Sequence, residues 1–380
     1  MKIVLINNLY APWVRGGAER IAEKTAAGLA KAGHEVFIIT TAPTGSHADK
    51  IIYLPSLFYN LEKYPLATRF FWHLWDIFNF ANYFKIKKIL QEQKPDLAIT
   101  NNLQGIGYLL PRLLRRMQIK HIHVLHDIQL LHPSGLMFWG QEKLLSSTHA
   151  KIYQALMRRL FGSPAVVISP SQWLLDEHEK RGFFKNSKKI ILPNYFQRTL
   201  SKEQRTNFQF PISNFQFIYV GQIEEHKGVK FLVETFIQFL AENKLPAELT
   251  IVGAGSRLEE LKKIAAGKKQ IKILGRKNAG EVAELMAVAN CLIVPSLCYE
   301  NSPTVIYEAI SAGLPVIGSR LGGISELLES SGGILFRPGD QADLLEKMTL
   351  VFTHPEELDR MKKKEAAYQP PDYIAEILAL

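Results

Sequence analysis

The chain has 380 residues and 47% of them are hydrophobic, so it can bury two cores of ordinary domain size and shows no compositional sign of disorder. Its formal charge of +10 favours an anionic partner, without choosing among nucleotide phosphate, an acidic membrane surface and nucleic acid. Two cysteines argue against a disulfide framework, the start MKIVLINN does not resemble a signal peptide, and no apolar run reaches the roughly 18 residues of a membrane span, so we expect a cytoplasmic protein.

The first half of the chain alternates short apolar strands with helices. It opens with the strand KIVLINN, a loop carrying RGGAER, a helix with an apolar face and the strand HEVFIITT. Later strands are predicted at 95–101, 120–127, 165–171 and 188–194, with helical stretches between most of them. This order predicts a parallel, doubly wound sheet.

A polar stretch then interrupts the alternation. Residues 198–214 show no sustained helical or strand pattern and are predicted to be the linker between a domain at 1–197 and a domain at 215–380. In the second domain, strands are predicted at 215–222, 247–255, 271–276, 291–296 and 315–319, and the last helix could pack back on the first domain. The predicted fold class is therefore α/β, with two Rossmann-like domains facing across a cleft that would hold the site.

Residues 298–316, CYENSPTVIYEAISAGLPV, place two acids between small and apolar neighbours. Ser302 suits a helix N-cap and Pro303 the first helical position, so Glu300 would lie in a loop and Glu308 one to two turns into the helix. A helix N-terminus attracts phosphate, whereas carboxylates accept hydrogen bonds from hydroxyl groups. The pattern favours a ligand with both groups, but two solvated surface acids would look the same.

Four segments together resemble the motifs of one family: VGQIEEHKG at 220–228, the acid-bearing stretch at 298–316, LGGISELLESSGGILFRPGD at 321–340 and RGGAE at 15–19. They are similar to those of the retaining, nucleotide-sugar-dependent glycosyltransferases with the GT-B fold, the group-1 family. The two acids correspond to the E-x7-E element of that family. The resemblance implies that Glu300 contacts hydroxyls of the transferred sugar, that Glu308 contacts the ribose, and that the amides of Thr304 and Val305 face the diphosphate.

The resemblance also implies a basic pair for the diphosphate, from the family pattern G-R-L-x-x-x-K-G. Lys227 matches the lysine of that pattern, whereas Gln222 replaces the arginine. Losing one cation beside a departing diphosphate costs about a few kcal/mol of transition-state stabilisation, so this departure bears on activity. The loop with Gly16 and Gly17 would border the diphosphate, although a tight turn explains two glycines equally well.

The stretch HIHVLHD at 121–127 could suggest a metal site. Strand alternation puts His121 and His123 on one face and His126 on the other, which argues against a shared metal ion. The resemblance implies instead that His126 lies beside the donor sugar, with neither a metal ion nor another cofactor required.

The function implied by the resemblance is transfer of a sugar from a nucleotide diphosphate sugar to a hydroxyl of a glycan or lipid-linked glycan, with retention of configuration. The catalytic residues would be His126, Glu300 and Lys227. Two alternatives stay open: a nucleotide-sugar epimerase or a phosphorylase, and a non-catalytic sugar-nucleotide-binding or scaffolding subunit. The second alternative is suggested by Gln222 and by Gln197, which stands where the family carries an aspartate.

The segment from Phe58 to Lys88 is dense in aromatic residues and ends with Lys85, Lys87 and Lys88. This chemistry suits a peripheral contact with the inner membrane surface or a lipid-linked acceptor, but a buried helix is an equal alternative. No nucleic-acid motif accompanies the basic charge, so nucleic acid is not an expected partner.

Overall fold

The computed structural model of the chain describes residues 1–42, 46–48, 50–195, 214–243 and 246–380. The predicted linker at 198–214 lies outside these residues apart from Asn214, and so does Gln197. The described residues form two compact units, each with its own parallel sheet. Unit 1 contains residues 1–136, 143–195 and 371–380; unit 2 contains residues 137–142 and the described residues from 214 to 370.

Unit 1 is built on an eight-stranded sheet in the order β3-β4-β2-β1-β5-β6-β7-β8. Its strands are β1 Lys2–Ile6, β2 Glu35–Ala42, β3 Ser46–Ala48, β4 Ile51–Pro55, β5 Leu97–Thr100, β6 Lys120–Val124, β7 Val166–Ser169 and β8 Lys188–Ile191. Its helices are α1 Gly17–Lys31, α2 Leu66–Phe78, α3 Phe80–Gln93, α4 Leu110–Arg116, α5 Thr148–Phe161, α6 Gln172–Glu179 and α14 Tyr373–Leu378. All strand pairs are parallel except β3 with β4.

Unit 2 is built on a six-stranded parallel sheet in the order β11-β10-β9-β12-β13-β14. Its strands are β9 Phe215–Val220, β10 Ala247–Val252, β11 Ile271–Gly275, β12 Cys291–Val294, β13 Val316–Ser319 and β14 Ile334–Phe336. Its helices are α7 Val229–Glu242, α8 Leu258–Ile264, α9 Ala279–Val288, α10 Thr304–Ala312, α11 Gly322–Ser331, α12 Gln341–Thr353 and α13 Pro355–Ala367.

The prediction of an α/β fold with two Rossmann-like halves is confirmed. Apolar β-branched strands are buried on both faces because helices cover both sides of a parallel sheet, as the fully buried strands β5, β7 and β12 show. Strands β3, β4 and β14 were not predicted.

Each sheet has a point where the strand order reverses. In unit 2, the chain runs outward from β9 through β10 to β11, then returns to the other side of β9 with β12. In unit 1, the same reversal separates β1 from β5. Ligands of open α/β sheets bind outside the carboxyl ends of the strands at such a point. The loops after β9 and β12, and those after β1 and β5, are therefore where sites are expected.

Candidate functional site

One basic and one acidic candidate residue of unit 2, Lys227 and Glu300, lie at the point where its strand order reverses. Lys227 follows β9 and Glu300 follows β12, and these strands are neighbours in the sheet. The Lys227 ammonium donates a hydrogen bond of 2.6 Å to Glu300 Oε2, and the Ser296 hydroxyl donates to Glu300 Oε1. The structure thus brings together Lys227 and Glu300, which are 73 positions apart in the chain.

The loop after β9 reaches this position because of Gly228. Gly228 has φ +68°, and an added Cβ would lie 1.9 Å from the carbonyl oxygen of Pro295. A side chain there would be both conformationally strained and in collision with backbone. The glycine therefore lets the Lys227 loop approach the Ser296 loop closely enough for the ion pair to form.

Both members of this ion pair are charged near neutral pH. Burial alone would lower the pKa of Lys227, but the Glu300 carboxylate outweighs burial and raises the pKa above its ordinary value. Burial alone would raise the pKa of Glu300, yet Lys227 and the Ser296 hydroxyl hold it below its usual range. The side chains are 23% and 14% exposed, so the pair is largely shielded from water but still in part accessible from solvent.

Helix α10 begins next to Glu300 in the chain, and its first turn is open. Among the residues that the structure describes, none accepts a hydrogen bond from the backbone amide of Thr304 or Val305. Helix N-termini leave such amides for anions. The half-buried Glu308 lies one turn further along the same helix.

The prediction that Ser302 caps this helix is wrong. Pro303 occupies the N-cap position, because the helix begins at Thr304, and no side chain caps it. The Ser302 hydroxyl instead forms a 2.7 Å hydrogen bond with the Tyr307 hydroxyl. Ser302 is thus drawn toward the body of the helix, and the first-turn amides stay available.

Gln222, which replaces the family's arginine, has an exposed side chain in the loop after β9. Its backbone carbonyl accepts a 2.6 Å hydrogen bond from the Tyr219 hydroxyl, which fixes the start of the loop. The structure therefore presents an amide at this loop, where the family pattern has a guanidinium.

In unit 1, the glycine pair forms the start of helix α1. Gly16 is the N-cap and Gly17 the first helical residue, and the Gly16 amide donates a 2.8 Å hydrogen bond to Glu19 Oε2. Gly16 has an extended φ of −149°, so its backbone does not require a glycine. What the glycines provide is an N-terminus without side chains in front of it.

His126 lies beyond the end of β6 and not on the strand. Its Nε2 donates a 2.8 Å hydrogen bond to Asn101 Oδ1, since an amide oxygen can only accept. Burial lowers the pKa of His126 to about 4, so the ring is neutral at pH 7. Asn101 follows β5, at the reversal point of unit 1, and among the described residues its own Nδ2 has no hydrogen-bond acceptor.

Asp127, next to His126, has a raised pKa. Burial is the main cause and the nearby Glu19 carboxylate adds to it, so that the pKa of Asp127 is about 7. The Gln129 amide donates 2.7 Å to Asp127 Oδ1 and partly offsets the shift. The start of α1 and the loop after β6 thus bring two acidic side chains, Glu19 and Asp127, close enough to interact.

The other two histidines of the HIHVLHD stretch are structural. His121 Nε2 and His123 Nδ1 both bond the Thr100 hydroxyl, at 2.7 and 2.9 Å. Both rings are buried, and the described residues contain no group of three His, Cys, Asp or Glu side chains placed to hold a metal ion. His121 and His123 therefore lie on the same face of β6, as strand alternation predicted.

The aromatic segment between Phe58 and Lys88 turns much of its apolar surface outward. Phe71, Leu74, Trp75 and Phe78 of α2 are 40–68% exposed, and their spacing places them on one helix face. Phe80 and Phe84 of α3 are 60% and 64% exposed. No helix within the described part of the chain is both long and apolar enough to cross a bilayer.

Sequence reasoning missed Ser296 and Asn101, which contact Glu300 and His126. Each is the last residue of a predicted strand, Asn101 in the strand at 95–101 and Ser296 in the strand at 291–296. A small polar residue at the carboxyl end of a buried parallel strand is the signal that could have identified both.

Two family models match most of the chain between them. A family model for "Glycosyltransferase Family 4" matches residues 15–196, and one for "Glycosyl transferases group 1" matches residues 201–368. A Klebsiella pneumoniae relative, an "Uncharacterized 42.6 kDa protein in cps region", is 27% identical over 96% of this chain and 95% of its own length.

Solved structures share the fold over the whole chain. Anabaena HepE, crystallised in complex with UDP-glucose, superposes with a TM-score of 0.71 at 19% identity and covers 100% of this chain and 99% of its own. Sucrose-phosphate synthase from Thermosynechococcus elongatus gives a TM-score of 0.71 at 19% identity, covering 100% of this chain and 97% of its own. The two family models together span both halves of the chain, and the solved structures superpose on both: the chain belongs to the group 1 glycosyl transferases and has the GT-B fold.

Proposed function

We propose that the protein transfers a sugar from a nucleotide diphosphate sugar to a hydroxyl acceptor with retention of configuration. The observation that carries this proposal is the arrangement at the reversal point of unit 2. The Lys227–Glu300 ion pair and the open first turn of α10 together offer a cation, a carboxylate and backbone amides. Those are the groups that recognise a phosphate and a polyhydroxylated sugar in one ligand.

The diphosphate would be held by Lys227 and by the amides of Thr304 and Val305. An ammonium has three donor hydrogens, so Lys227 can keep its bond to Glu300 while it donates to a phosphate oxygen. Negative charge grows on the diphosphate as the glycosidic bond breaks, and fixed donors stabilise that charge without reorganising. Gln222 can add a neutral amide donor at the same loop.

The two acids would bind hydroxyl groups. Glu300 is ionised and oriented by Lys227 and Ser296, and it can accept from hydroxyls of the transferred sugar. Glu308, a turn along α10, would accept from the ribose. In unit 1, a neutral His126 held by Asn101 would position the donor sugar without adding positive charge near the anomeric carbon. Gly16 and Gly17 would leave room for the ligand at the start of α1.

The proposal can be tested without knowing the acceptor. Calorimetry against UDP, GDP and ADP, in the absence of metal, should show binding of one diphosphate; UDP is the first choice, because HepE was crystallised with UDP-glucose. Lys227→Ala and Glu308→Ala should each weaken binding. Lys230→Ala is the matched control, since Lys230 is exposed on α7 and pairs with Glu260.

Product analysis with the matching nucleotide sugar then separates the alternatives. Transfer of the sugar to an acceptor with the anomeric configuration kept supports the proposal. Release of nucleotide and an altered sugar without an acceptor would indicate an epimerase, and binding without turnover would indicate a scaffolding subunit. Absence of binding to any diphosphate would refute the assigned donor site.

We further propose that the outward face of α2 and α3 contacts an anionic membrane surface, where a glycan acceptor carried on lipid would be presented. The exposed aromatic residues of α2 and α3 lie close in sequence to the exposed Lys85, Lys87 and Lys88. Aromatic rings insert at the headgroup level, while lysines attract anionic lipids. The net charge of +10 adds to that attraction.

Cosedimentation with vesicles tests this contact. The protein should bind vesicles that contain phosphatidylglycerol more strongly than vesicles of phosphatidylcholine alone, and added salt should weaken the binding. Phe71→Ser with Trp75→Ser should reduce binding, whereas Ile152→Ser, at a 65% exposed position on α5, should not. Equal binding of both variants would refute the assignment of the α2–α3 face.

A further inference from the structure

A six-residue segment from the first half of the sequence belongs to unit 2. Residues 137–142, which we call the strap, group with unit 2, although the residues before and after them belong to unit 1. Phe138 pairs in antiparallel fashion with Cys298, on the loop that carries Glu300. The Trp139 amide donates 2.9 Å to the Leu297 carbonyl, and the Tyr299 amide donates 2.9 Å to the Met137 carbonyl.

Side chains reinforce this backbone pairing. The Tyr299 hydroxyl donates 2.8 Å to Glu142 Oε1, and the same carboxylate oxygen accepts from the Gly140 amide at 2.9 Å. The rings of Trp139 and Tyr299 lie 6.3 Å apart. The strap is thus tied to the Glu300 loop by two backbone bonds, one charge-assisted side-chain bond and a ring contact.

The strap also reaches the loop that carries Lys227. The Phe138 ring meets the His226 ring edge to face at 6.5 Å, and the Leu297 amide donates 2.9 Å to the His226 carbonyl. His226 precedes Lys227 in the chain, and Tyr299 precedes Glu300. Both members of the ion pair therefore have a neighbouring residue that contacts the strap.

We infer that the strap is a positioning element for the Lys227–Glu300 pair, and that Tyr299 and Glu142 are its positioning residues. The pair lies on loops beyond the ends of β9 and β12, so the sheet itself does not fix its geometry. The strap supplies hydrogen-bond partners that the Glu300 loop would otherwise take from water. The effect of the strap on turnover rests on the function proposed above, whereas its effect on loop structure does not.

The first test reads loop structure directly. Cys298 is 1% exposed and pairs with Phe138, while Cys291 is buried within β12. Both cysteines are alkylated with iodoacetamide, and mass spectrometry measures the labelling rate of each. The rate at Cys298 reports release of the strap, and the rate at Cys291 reports global unfolding of unit 2. Tyr299→Phe removes the hydrogen bond to the Glu142 carboxylate, and loss of such a bond makes release of the strap easier. The labelling rate of Cys298 should therefore rise about tenfold, while that of Cys291 stays unchanged.

Two further variants serve as controls. Gln141→Ala changes an exposed strap residue whose side chain makes no hydrogen bond among the described residues, and it should label like the wild type. Glu142→Gln keeps an oxygen that can accept from Tyr299, so it should label more slowly than Glu142→Ala. Equal rates for Tyr299→Phe, Glu142→Ala and Gln141→Ala would overturn the inference.

The second test asks whether positioning affects turnover. With the donor that binds, Tyr299→Phe should lower kcat about tenfold and change the donor KM less than twofold, because the nucleotide contacts on α10 are untouched. Faster Cys298 labelling with unchanged kcat would overturn the positioning role. A wild-type protein that turns over no donor refutes the proposed function, and the labelling rates then decide the strap alone.

A covalent rescue completes the test. Phe138 and Cys298 are a non-hydrogen-bonded pair, whose Cα atoms are typically about 4.5 Å apart, within the range for a disulfide. In Phe138→Cys with Tyr299→Phe, oxidation of the two thiols by oxidised glutathione, which is reduced in exchange, should restore kcat toward that of oxidised Phe138→Cys alone. Reduction should remove the gain. No recovery on verified disulfide formation would overturn the inference.

Discussion

A double-mutant cycle on Lys227 and Glu300 tests the central contact of the site. Their ammonium and carboxylate are 2.6 Å apart, with side chains 23% and 14% exposed. Removal of one partner from a fully buried pair costs about 3–5 kcal/mol, and the partial exposure here reduces that cost. We expect Lys227→Met and Glu300→Gln each to lower the unfolding free energy by about 2–3 kcal/mol, with a coupling of about 2 kcal/mol between them.

Urea unfolding of the wild type, both single variants and the double variant gives this coupling energy. Arg320 and Glu329 provide a matched control in the same unit, because they are 3.4 Å apart and 58% and 60% exposed. Their cycle should give less than about 0.5 kcal/mol. If the Lys227 and Glu300 substitutions are additive within about 0.5 kcal/mol, the pair contributes no net stability and our account of its shielding is wrong.

Two further predictions concern backbone and burial. Gly228→Ala should destabilise the protein more than Gly267→Ala in thermal or urea unfolding, because both have positive φ but only the first would place a Cβ 1.9 Å from a carbonyl oxygen; equal losses would contradict the close approach. Burial lowers the pKa of His178 to about 4. As pH falls below about 6.5, His178 takes up a proton in the unfolded chain but not in the folded one, so the free energy of unfolding decreases. Between pH 6.5 and 4.5, the unfolding free energy of His178→Gln, measured in urea, should rise relative to that of the wild type by about 1 kcal/mol for each pH unit of acidification. A difference between the two proteins that does not change with pH would contradict the lowered pKa of His178.

Local sequence patterns predicted much of this fold. Runs such as CLIVP and AVVIS are short, apolar and β-branched, and helices cover both faces of the strands that they form, so burial follows from composition. The helix-start signal of Ser302 and Pro303 also predicted that Glu300 lies in a loop and Glu308 in the helix after it. The pattern was wrong at Ser302, because the helix begins one residue later than predicted and Pro303 takes the N-cap position. The Ser302 hydroxyl bonds the Tyr307 hydroxyl and does not cap the helix.

Long-range contacts could not be predicted in the same way. The pairing of Phe138 with Cys298 joins positions that no periodicity relates, and the strap is too short to show a strand pattern. The bond between His126 and Asn101 likewise depends on the neighbouring positions of β5 and β6 in the sheet. Such contacts follow from the three-dimensional register of the strands, which a single sequence does not encode visibly.

Helix α14 has a consequence for how the chain is made. Tyr373 and Ile377 are buried in the core of unit 1, and the Ile374 side chain lies so near Gly28 that an added Cβ would be 2.6 Å from it. During synthesis, the residues of unit 2 up to 370 are made before helix α14. The core of unit 1 is therefore incomplete until the end of the chain is synthesised. For the same reason, a chimera that exchanges one unit with a relative needs four junctions, carrying residues 371–380 with unit 1 and residues 137–142 with unit 2.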